Sequence, residues 1–355
     1  TFTGTLYSED PAILAWETGN ELESPMGWTS DIAAYIKSQD SNHLLIDGFH
    51  SNLLRDGSLT DPNIDLVTTH HYEKNAAQMI DHIRQNQTKA RGQKPYFVGE
   101  FGFIDVEGIR QVLDTVIEED VAGALLWSLR FHNRDGGFYW HSEPYGGDLF
   151  KAYHWPGFDS GDAFGETETL NIMREKAFEM QNLDAPMIEP PLAPTLLPMS
   201  TVAEITWQGS AGASAYDVER SEQENGPWMV VGQNVSDADV QYRPLFNDKN
   251  VELGKSYYYR VIAKNTAGAS PPSNVVLAPK VEDFALVDEC RNWNQTFQIR
   301  GQLEFKRDEA RPAKEDAHRF RGNAGDGVIY SCPGNILSFE IYAFYPAEVQ
   351  DLKIS

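Results

Sequence analysis

The sequence has few cysteines, few basic residues and no long apolar run. Its 355 residues include only Cys290 and Cys332, too few for a disulfide-rich scaffold or a zinc site built from cysteines. Whether these two form one disulfide stays open. Lys and Arg number 29 against 53 Asp and Glu, and the net charge of −24 argues against a nucleic-acid partner, which would need a basic surface. No apolar run approaches the roughly 18 residues of a membrane span, so a membrane partner is not expected either.

The chain has the composition and length of a folded protein with several domains. Hydrophobic residues make up 41% and aromatic residues 12%, which is enough to form cores. At about 100–200 residues per domain, the length predicts two or three domains. Residues 185–194 contain four prolines, which stiffen a chain and cannot donate backbone hydrogen bonds. We therefore predict a linker at 185–193, after an α/β region at 1–184 and before a β-rich region.

Residues 1–184 alternate short apolar segments with longer segments of helical period. Strands are predicted at 12–16, 43–47, 64–70, 95–99 and 122–127. Helices are predicted at 29–38, 76–90, 106–119 and 166–181. Strands that alternate with helices are typical of a parallel α/β sheet. These strands are fewer than the eight that close a standard barrel.

Residues 194–280 are predicted to be all-β. Strands with one buried face are expected at 202–207, 215–220 and 256–263. This stretch resembles a fibronectin type III module, which is a small β-sandwich. Trp207 matches the tryptophan of the second strand of that module, and Tyr257 matches its tyrosine corner. The resemblance implies a spacer domain.

Residues 281–355 are also predicted to be β-rich, with the best strand candidates at 328–331 and 336–342. This stretch resembles the opening half of a galactose-binding-like jelly roll of the kind attached to carbohydrate-active enzymes. Such β-sandwiches need about eight strands, so we expect 281–355 to be an incomplete domain. The predicted architecture is therefore an α/β region followed by two β-sandwiches, of which the second is partial.

Two glutamates follow predicted strands of the α/β region. Glu21 comes after the first of these strands, and Glu100 comes after the fourth. The carboxyl ends of parallel strands share one edge, so two such carboxylates can meet. Glycoside hydrolysis requires a pair of carboxylates, because one must protonate the leaving oxygen while the other attacks the sugar or activates water. Gly99 and Gly102 flank Glu100 and predict space for a ligand beside the backbone.

Other polar and aromatic residues stand at the ends of neighbouring strands. His70 and Tyr72 end the third predicted strand, and Trp127 ends the fifth. Each residue alone fits an ordinary role, since polar residues line barrel rims and an indole at a strand end usually belongs to the core. Together with Glu21 and Glu100 at successive strand ends, they favour a sugar-cleaving site in which the indole stacks on a pyranose ring.

With these motifs in this order, residues 7–181 resemble the second half, strands four to eight, of a glycoside hydrolase family 5 (β/α)8 TIM barrel, and in particular its endo-β-1,4-mannanase branch. The motif WETGNE at 16–21 matches the fourth strand of that family. The resemblance implies that Glu21 is the catalytic acid/base and Glu100 the catalytic nucleophile. It also implies a set of substrate-binding residues: Asn20 at the sugar 2-hydroxyl, His70 beside the acid/base, Tyr72 in support of the nucleophile and Trp127 as a stacking platform.

The resemblance implies a retaining mechanism. Glu100 attacks the anomeric carbon, while Glu21 protonates the departing oxygen and later deprotonates water. We therefore expect the two carboxyl groups to lie about 5–5.5 Å apart, since inverting enzymes need a wider gap. No metal and no organic cofactor is expected. The implied substrate is a β-1,4-linked plant or algal polysaccharide, namely mannan, glucomannan or galactomannan, and the acidic composition disfavours polyanionic glycans.

A long segment rich in aromatic residues, 130–166, follows the last predicted strand. Its composition argues against disorder, and ordered loops of this length are usually functional. Trp140 and Trp155 are candidates for stacking on sugar rings, although packing of the segment against a neighbouring domain explains the aromatic residues nearly as well. His141 and Glu143 are residue types that bind metals, but without further ligands nearby they do not predict a metal site.

Other hypotheses stand beside mannan hydrolysis. The same barrel family includes β-1,4-glucanases or cellulases and exo-acting β-mannosidases, and the sequence does not separate these activities. A catalytically incompetent chain that only binds glycans is a third hypothesis. The first three strands of the family barrel have no counterpart before Thr1, so we expect a fragment of a longer, secreted enzyme. Sequons at Asn86, Asn234 and Asn294 are compatible with secretion, and the oligomeric state stays open.

Overall fold

The computed structural model describes residues 4–139, 142–145, 148–158, 165–238, 244–306 and 318–345. The chain divides into two compact units. The first unit is formed by Thr1–Ser128 and Asn171–Ala185, and the second by Leu129–Leu170 and Pro186–Ser355. The finer domain boundaries at 184, 193 and 280 stay predictions.

The first unit contains the predicted alternation of strands and helices. Its strands β1 to β5 are Ala15–Glu17, Leu44–Ile46, Val67–His71, Tyr96–Phe101 and Ala124–Leu126. A 3₁₀ turn at Tyr7–Glu9 precedes these strands. The helices α1 to α4 are Met26–Gln39, Asp56–Thr60, Ala76–Ala90 and Val106–Glu118. A fifth helix, α5, is Glu166–Glu179. The predicted strands and helices of this region are confirmed to within a few residues, and α2 is an addition to them. Among the described residues, no helix combines the length and the apolar character needed to cross a membrane.

The strands of the first unit pair in parallel. β1 pairs with β2, so that Trp16 lies opposite Leu45, and β4 pairs with both β3 and β5. A parallel bridge between Ile46 and Leu66 links the end of β2 to the residue before β3. Parallel pairing places the carboxyl ends of neighbouring strands at one edge, where the predicted catalytic residues follow. The strands succeed one another in chain order, as expected for part of a (β/α)8 barrel, and the barrel itself stays a prediction.

Helix α3 shows how the first unit forms its core. Met79 and Ile83 are fully buried and lie four residues apart, so they share one face of the helix. The helix begins at a side-chain cap, because the Asn75 side chain accepts a hydrogen bond from the backbone N–H of Gln78. Helix α4 is built in the same way, with a buried apolar face and an aspartate cap. Both helices are thereby positioned behind the strands that carry the candidate site.

The second unit opens with strands inside the segment that was predicted as one long loop. β6 to β9 are Leu129–Arg130, Ser142–Tyr145, Asp148–Lys151 and Tyr153–His154. β7 and β8 form an antiparallel hairpin, and β6 pairs with β9, so the long segment expected after the last predicted strand contains short strands. Pairing between nearby segments satisfies backbone polar groups that an irregular loop has to expose to water.

The predicted all-β region is confirmed, but of the strand predicted at 202–207 only Trp207 lies in a strand and Ile205 forms an isolated bridge. β10 to β16 are Thr195–Leu196, Trp207–Gln208, Ala215–Ser221, Met229–Val235, Tyr258–Asn265, Gly268–Ala269 and Val276–Leu277. One sheet has the order β13-β12-β14-β15 with β16 also on β14, and β10 pairs with β11. The two sheets share one core, in which the rings of Trp207 and Tyr216 have centroids 5.2 Å apart. The Tyr257 hydroxyl accepts a hydrogen bond from the Glu252 backbone N–H at 3.1 Å, as in a tyrosine corner.

The residues after β16 form short strands. β17 to β20 are Gln298–Arg300, Glu304–Lys306, Arg319–Arg321 and Gly327–Ile329, with β17 paired to β20 and β18 to β19. β20 corresponds to the strand predicted at 328–331, but the strand predicted at 336–342 is wrong. An alternating apolar pattern forms a strand only where another strand supplies hydrogen bonds, and here the apolar side chains lie exposed. Cys290 and Cys332 are not joined by a disulfide.

Candidate active site

Four of the predicted site residues come together at the carboxyl edge of the strands. His70 Nδ1 lies 2.8 Å from Glu21 Oε1 and 3.4 Å from Glu100 Oε2. One oxygen of each glutamate and the ring nitrogen of His70 all lie within 4.8 Å of one another. The Tyr72 hydroxyl donates a hydrogen bond to Glu100 Oε2 at 2.5 Å. The site therefore holds two carboxylates with an imidazole between them and a phenol on one of them.

The two carboxylates differ in their contact with solvent. The side chain of Glu21 is 31% exposed, whereas that of Glu100 is 13% exposed. Polar contacts offset the cost of burying the Glu100 carboxylate, since the Tyr72 hydroxyl donates to its Oε2 and His70 Nδ1 lies 3.4 Å from the same oxygen. Glu21 is open enough to exchange a proton with a bound molecule and then with water. The surroundings of the two groups thus suit different chemical roles.

Backbone hydrogen bonds hold the loop that carries Glu21. The N–H of Leu22 donates to Gly48 O at 2.9 Å, and the N–H of His50 donates to Leu22 O at 3.0 Å. The loop after β1 is therefore fixed to the loop after β2. Glu21 itself has a φ of 50°, in the left-handed region that costs a non-glycine residue roughly 1–3 kcal/mol. Such strain is common at functional sites, and here it falls on the residue whose carboxylate contacts His70.

An aromatic stack orients Tyr72. Its ring lies on the ring of Phe103 with centroids 4.8 Å apart and planes 24° apart. Phe103 follows β4, the strand that carries Glu100, so the stack fixes the Tyr72 hydroxyl relative to the carboxylate that it contacts. Sequence analysis did not single out Phe103, because its role depends on a contact between two different loops.

The glycines beside the second glutamate do not leave space for a ligand, so that prediction is wrong. A Cβ on Gly99 would lie 2.2 Å from Thr68 Oγ1 and 3.0 Å from His70 Nε2. A Cβ on Gly102 would lie 2.9 Å from the carbonyl oxygen of Trp127. The missing side chains make room for residues of the neighbouring strands instead. Both glycines therefore serve the close approach of β3 and β5 to β4.

Two further residues lie close to the site and were missed by sequence analysis. His50 Nε2 is 3.6 Å from Glu21 Oε1. Glu17 ends β1, and partial desolvation raises its pKa, which the charge of His70 opposes and the charge of Glu100 reinforces. Each residue lies at or just after the end of a strand. Glu21 and Glu100 were selected because residues that follow parallel strands meet at one edge of the sheet. The same reasoning, applied to every strand, would also have selected His50 and Glu17.

The other predicted substrate-binding residues have varied positions. Asn20 lies in the loop after β1 and is exposed. Trp127 directly follows β5 and is half-buried, and its backbone N–H donates to the carbonyl of the last residue of β4. Trp155 lies in the second unit. Trp140 and His141 lie outside the described residues, as does the side chain of Glu143.

Within the second unit, Trp155 lies against the β-sandwich. A Cβ on Gly212 would lie 3.2 Å from Trp155 Nε1. From the same segment, His132 Nε2 lies 3.0 Å from Oδ2 of the fully buried Asp237. These contacts support the alternative that the aromatic segment packs against a neighbouring domain. Stacking of Trp155 on a sugar stays a proposal.

Two groups of side chains among the described residues have the spacing of metal ligands. The first consists of Glu21, His70 and Glu100, and hydrogen bonds hold it together. The second lies behind β3 and consists of His71, Glu73 and His82.

Part of the chain matches a known glycosidase family. Residues 1–99 match the family model described as GH family 5 beta-mannosidase-like. The matched stretch contains Glu21, His70 and Tyr72 and ends one residue before Glu100. The chain therefore carries a glycoside hydrolase family 5 mannosidase-like segment.

Individual relatives are mannan-degrading enzymes by name. The chain is 36% identical over 102 residues to mannan endo-1,4-beta-mannosidase 4 of Solanum lycopersicum, and this match covers 24% of this chain and 25% of the relative. It is 27% identical over 192 residues to mannan endo-1,4-beta-mannosidase 3 of the same plant, and this match covers 39% of this chain and 48% of the relative. The solved endo-1,4-beta-mannanase from Rhizomucor miehei is 25% identical over 36% of this chain and 48% of that chain, with a TM-score of 0.34. The chain thus spans between a quarter and about half of these relatives.

Proposed function

We propose that this protein is a retaining glycoside hydrolase that cleaves β-1,4-mannosidic linkages in mannan-type polysaccharides. The observation that carries the proposal is the carboxylate pair, since oxygens of Glu21 and Glu100 lie within 4.8 Å with His70 between them. Retaining enzymes place their carboxyl groups about 5–5.5 Å apart, whereas inverting enzymes leave about 6.5–9.5 Å for a water molecule. The short separation supports direct attack on the sugar by one carboxylate.

Glu100 is the proposed nucleophile. Its Oε2 accepts the Tyr72 hydroxyl, which leaves Oε1 to form a bond to the anomeric carbon. As that bond forms, the bond from the anomeric carbon to the glycosidic oxygen breaks, and Glu21 transfers its proton to the departing oxygen. In the second step Glu21 removes a proton from water, the water oxygen attacks the anomeric carbon, and the Glu100 carboxylate leaves. The sugar keeps its configuration because it is inverted twice.

The position of His70 suits the transfer of negative charge from Glu100 to Glu21 during the first step. Before attack the negative charge is on Glu100, and after attack it is on Glu21, which has lost its proton. His70 Nδ1 lies within reach of both carboxylates, so one N–H can stabilise the charge in either position. We therefore propose that His70 positions and stabilises both carboxylates.

The family segment and the relatives named mannan endo-1,4-beta-mannosidases support mannan as the substrate class. The alternatives from the sequence are a β-1,4-glucanase, an exo-acting β-mannosidase and a glycan-binding module without activity. We further propose that 194–280 is a fibronectin type III spacer, supported by the core position of Trp207 and the hydrogen bond of Tyr257. A partial galactose-binding-like domain at 281–355 and secretion complete the proposal.

The test compares substrates on the purified chain. We expect release of reducing ends from galactomannan, with a fall in viscosity that precedes it, and little release from carboxymethylcellulose. Activity on carboxymethylcellulose alone would indicate a glucanase, and activity on 4-nitrophenyl β-mannoside alone an exo-acting mannosidase. Mannan binding in affinity electrophoresis without hydrolysis of any substrate would replace the proposal with the non-catalytic module.

Tyr72→Phe is expected to lower kcat on galactomannan while KM changes little. The variant keeps the ring that stacks on Phe103 but removes the hydroxyl that donates to Glu100. A hydrogen bond to a charged group is worth about 1.5–3 kcal/mol, which corresponds to a loss of about 10- to 150-fold in kcat. Steady-state kinetics measures both constants, with Phe103→Leu for comparison. An unchanged kcat in Tyr72→Phe would remove Tyr72 from the mechanism.

A further inference from the structure

A second cluster of histidine and glutamate side chains lies behind the carboxylate site. Successive residues of an extended segment point to opposite faces, so His70 and Tyr72 face the carboxylates while His71 and Glu73 face away from them. On that side they meet His82 of helix α3. One ligand atom from each of the three side chains lies within 4.8 Å of the others.

The cluster is buried at its base and open at one side. His82 Nδ1 lies 2.5 Å from Glu73 Oε1, and His71 Nδ1 lies 3.5 Å from the same oxygen. The side chain of His71 is fully buried and that of Glu73 is 11% exposed, whereas that of His82 is 28% exposed. Asn52 donates its side-chain N–H to Glu73 Oε1 at 3.0 Å. His82 thus lies where a small ion can enter from solvent.

Two buried atoms of the cluster have no hydrogen-bond partner among the described residues. These atoms are His71 Nδ1 and Glu73 Oε2. A buried polar atom without a partner costs about 1–3 kcal/mol, so each is expected to have a use or a missing partner. Both atoms belong to residues that ligate metals in proteins. His71 Nδ1 is also one of the atoms whose spacing fits metal ligands, so two independent observations at this atom indicate an ion.

The rest of the His71 ring is already fixed. Its Nε2 lies 2.8 Å from Thr69 Oγ1, and this hydroxyl lies 2.7 Å from the Tyr96 hydroxyl. When Nε2–H donates to Thr69, Nδ1 presents a lone pair towards the Glu73 carboxylate. Two acceptors that face each other repel unless a proton or a cation lies between them. Fixed hydrogen bonding on the far ring nitrogen is also what orients a histidine that binds a metal.

We propose that His71, Glu73 and His82 bind a divalent first-row transition metal ion, with Zn²⁺ as the best fit. Two imidazole nitrogens and one carboxylate form the protein ligands of tetrahedral His₂Glu zinc sites, in which water takes the fourth position. Ligand distances of about 2.0–2.2 Å place the ligand atoms roughly 3.3 Å apart. The 3.5 Å between the His71 and Glu73 atoms matches this spacing, and the shorter His82 contact lengthens by less than an ångström. Imidazole ligands favour zinc over calcium and magnesium.

Bound at this place, the ion joins the end of β3 to helix α3. His71 and Glu73 are the chain neighbours of His70 and Tyr72, which contact the two carboxylates on the other face. The ion therefore holds the backbone that carries those contacts. Sequence analysis expected no metal, because the three ligands have no recognisable spacing and His82 joins them only through the packing of α3 on β3.

The test measures Zn²⁺ binding directly, by isothermal titration of the full chain after removal of any tag and of metal with EDTA. We expect one Zn²⁺ per chain. His82→Ala and Glu73→Gln should each raise the dissociation constant by at least about tenfold. His318→Ala is the matched control, since it removes a histidine far along the chain, and it should bind as the unaltered chain does. The double variant Glu21→Gln/Glu100→Gln should also bind normally, which separates this cluster from the carboxylate pair.

Two further readouts keep the outcome clear. Co²⁺ in place of Zn²⁺ should give the visible absorption of a tetrahedral ion in the unaltered chain and lose it in His82→Ala. Circular dichroism should show that His82→Ala is folded, since His82 is partly exposed. Absence of Zn²⁺ binding to the unaltered chain would overturn the proposal and leave a hydrogen-bonded His–Glu–His cluster. Binding that survives both cluster variants, or that is lost in the double variant, would also overturn it.

Discussion

Glu100→Ala is expected to lower the hydrolysis of galactomannan by at least about 1,000-fold, because the glycosyl ester to Glu100 then has no atom on which to form. Glu21→Ala should cost about 100- to 10,000-fold, the usual contribution of a positioned general acid. Both losses should appear in kcat, since the substitutions remove reacting groups rather than binding surface. Reducing-end assays on galactomannan measure them. Glu107→Gln, which changes an exposed carboxylate on α4, is the matched control and should keep full activity.

Azide distinguishes the roles of the two glutamates. In Glu100→Ala the small anion fits the space of the lost carboxylate and attacks the same face of the sugar, so it should yield an α-mannosyl azide. In Glu21→Ala it should attack the glycosyl ester from the opposite face and yield a β-mannosyl azide. NMR of the products reads the configuration directly. The reverse pattern would exchange the roles of Glu21 and Glu100, and full activity in either variant would contradict the proposed mechanism.

Trp207→Ala is expected to lower the free energy of unfolding of the second unit by about 3–5 kcal/mol. Trp207 is fully buried on β11, and its ring packs against Tyr216 of the larger sheet, so truncation opens a cavity between the two sheets. Calorimetry or urea unfolding followed by circular dichroism measures the change. The first unit has a separate core, and we expect its transition to stay in place.

Trp207→Phe is the control for the size of the cavity. The indole N–H of Trp207 has no hydrogen-bond partner among the described residues, so its removal should cost nothing by itself. Phenylalanine keeps most of the apolar volume, and we expect a clearly smaller loss than with alanine. Equal losses in the two variants would show that the position tolerates no change of shape. A negligible loss in Trp207→Ala would contradict the assignment of Trp207 to the core.

Local pattern was enough to predict the helices and strands of the first unit. The bounds of α3 agree with the prediction at 76–90, because Met79 and Ile83 repeat at the helical period and Asn75 caps the first turn. The same kind of evidence misled at 336–342, where alternation predicted a strand that the structure does not form. Helices satisfy their own hydrogen bonds, whereas strands need a partner that the local pattern does not reveal.

The candidate site was predictable in its main members. Glu21 follows β1, and His70 and Glu100 lie near the ends of β3 and β4, whose parallel pairing brings such positions to one edge. The same strand-end rule also covers His50 and Glu17, which sequence analysis did not select. The strand-end rule could not select Phe103, because its stacking on Tyr72 depends on how the residues after β3 and β4 pack together.

The amino-acid sequence by itself was enough to predict the order of strands and helices and the all-β region, and to select the pair of glutamates. These features rest on period, composition and chain order, which are local properties. Tertiary structure decided what lies next to each chosen residue. In the folded chain, Thr68 and His70 occupy the space beside Gly99. Packing also places His82 of α3 next to His71 and Glu73. Distances of a few ångströms between distant segments follow from packing, and the pattern of residues along the chain does not contain them.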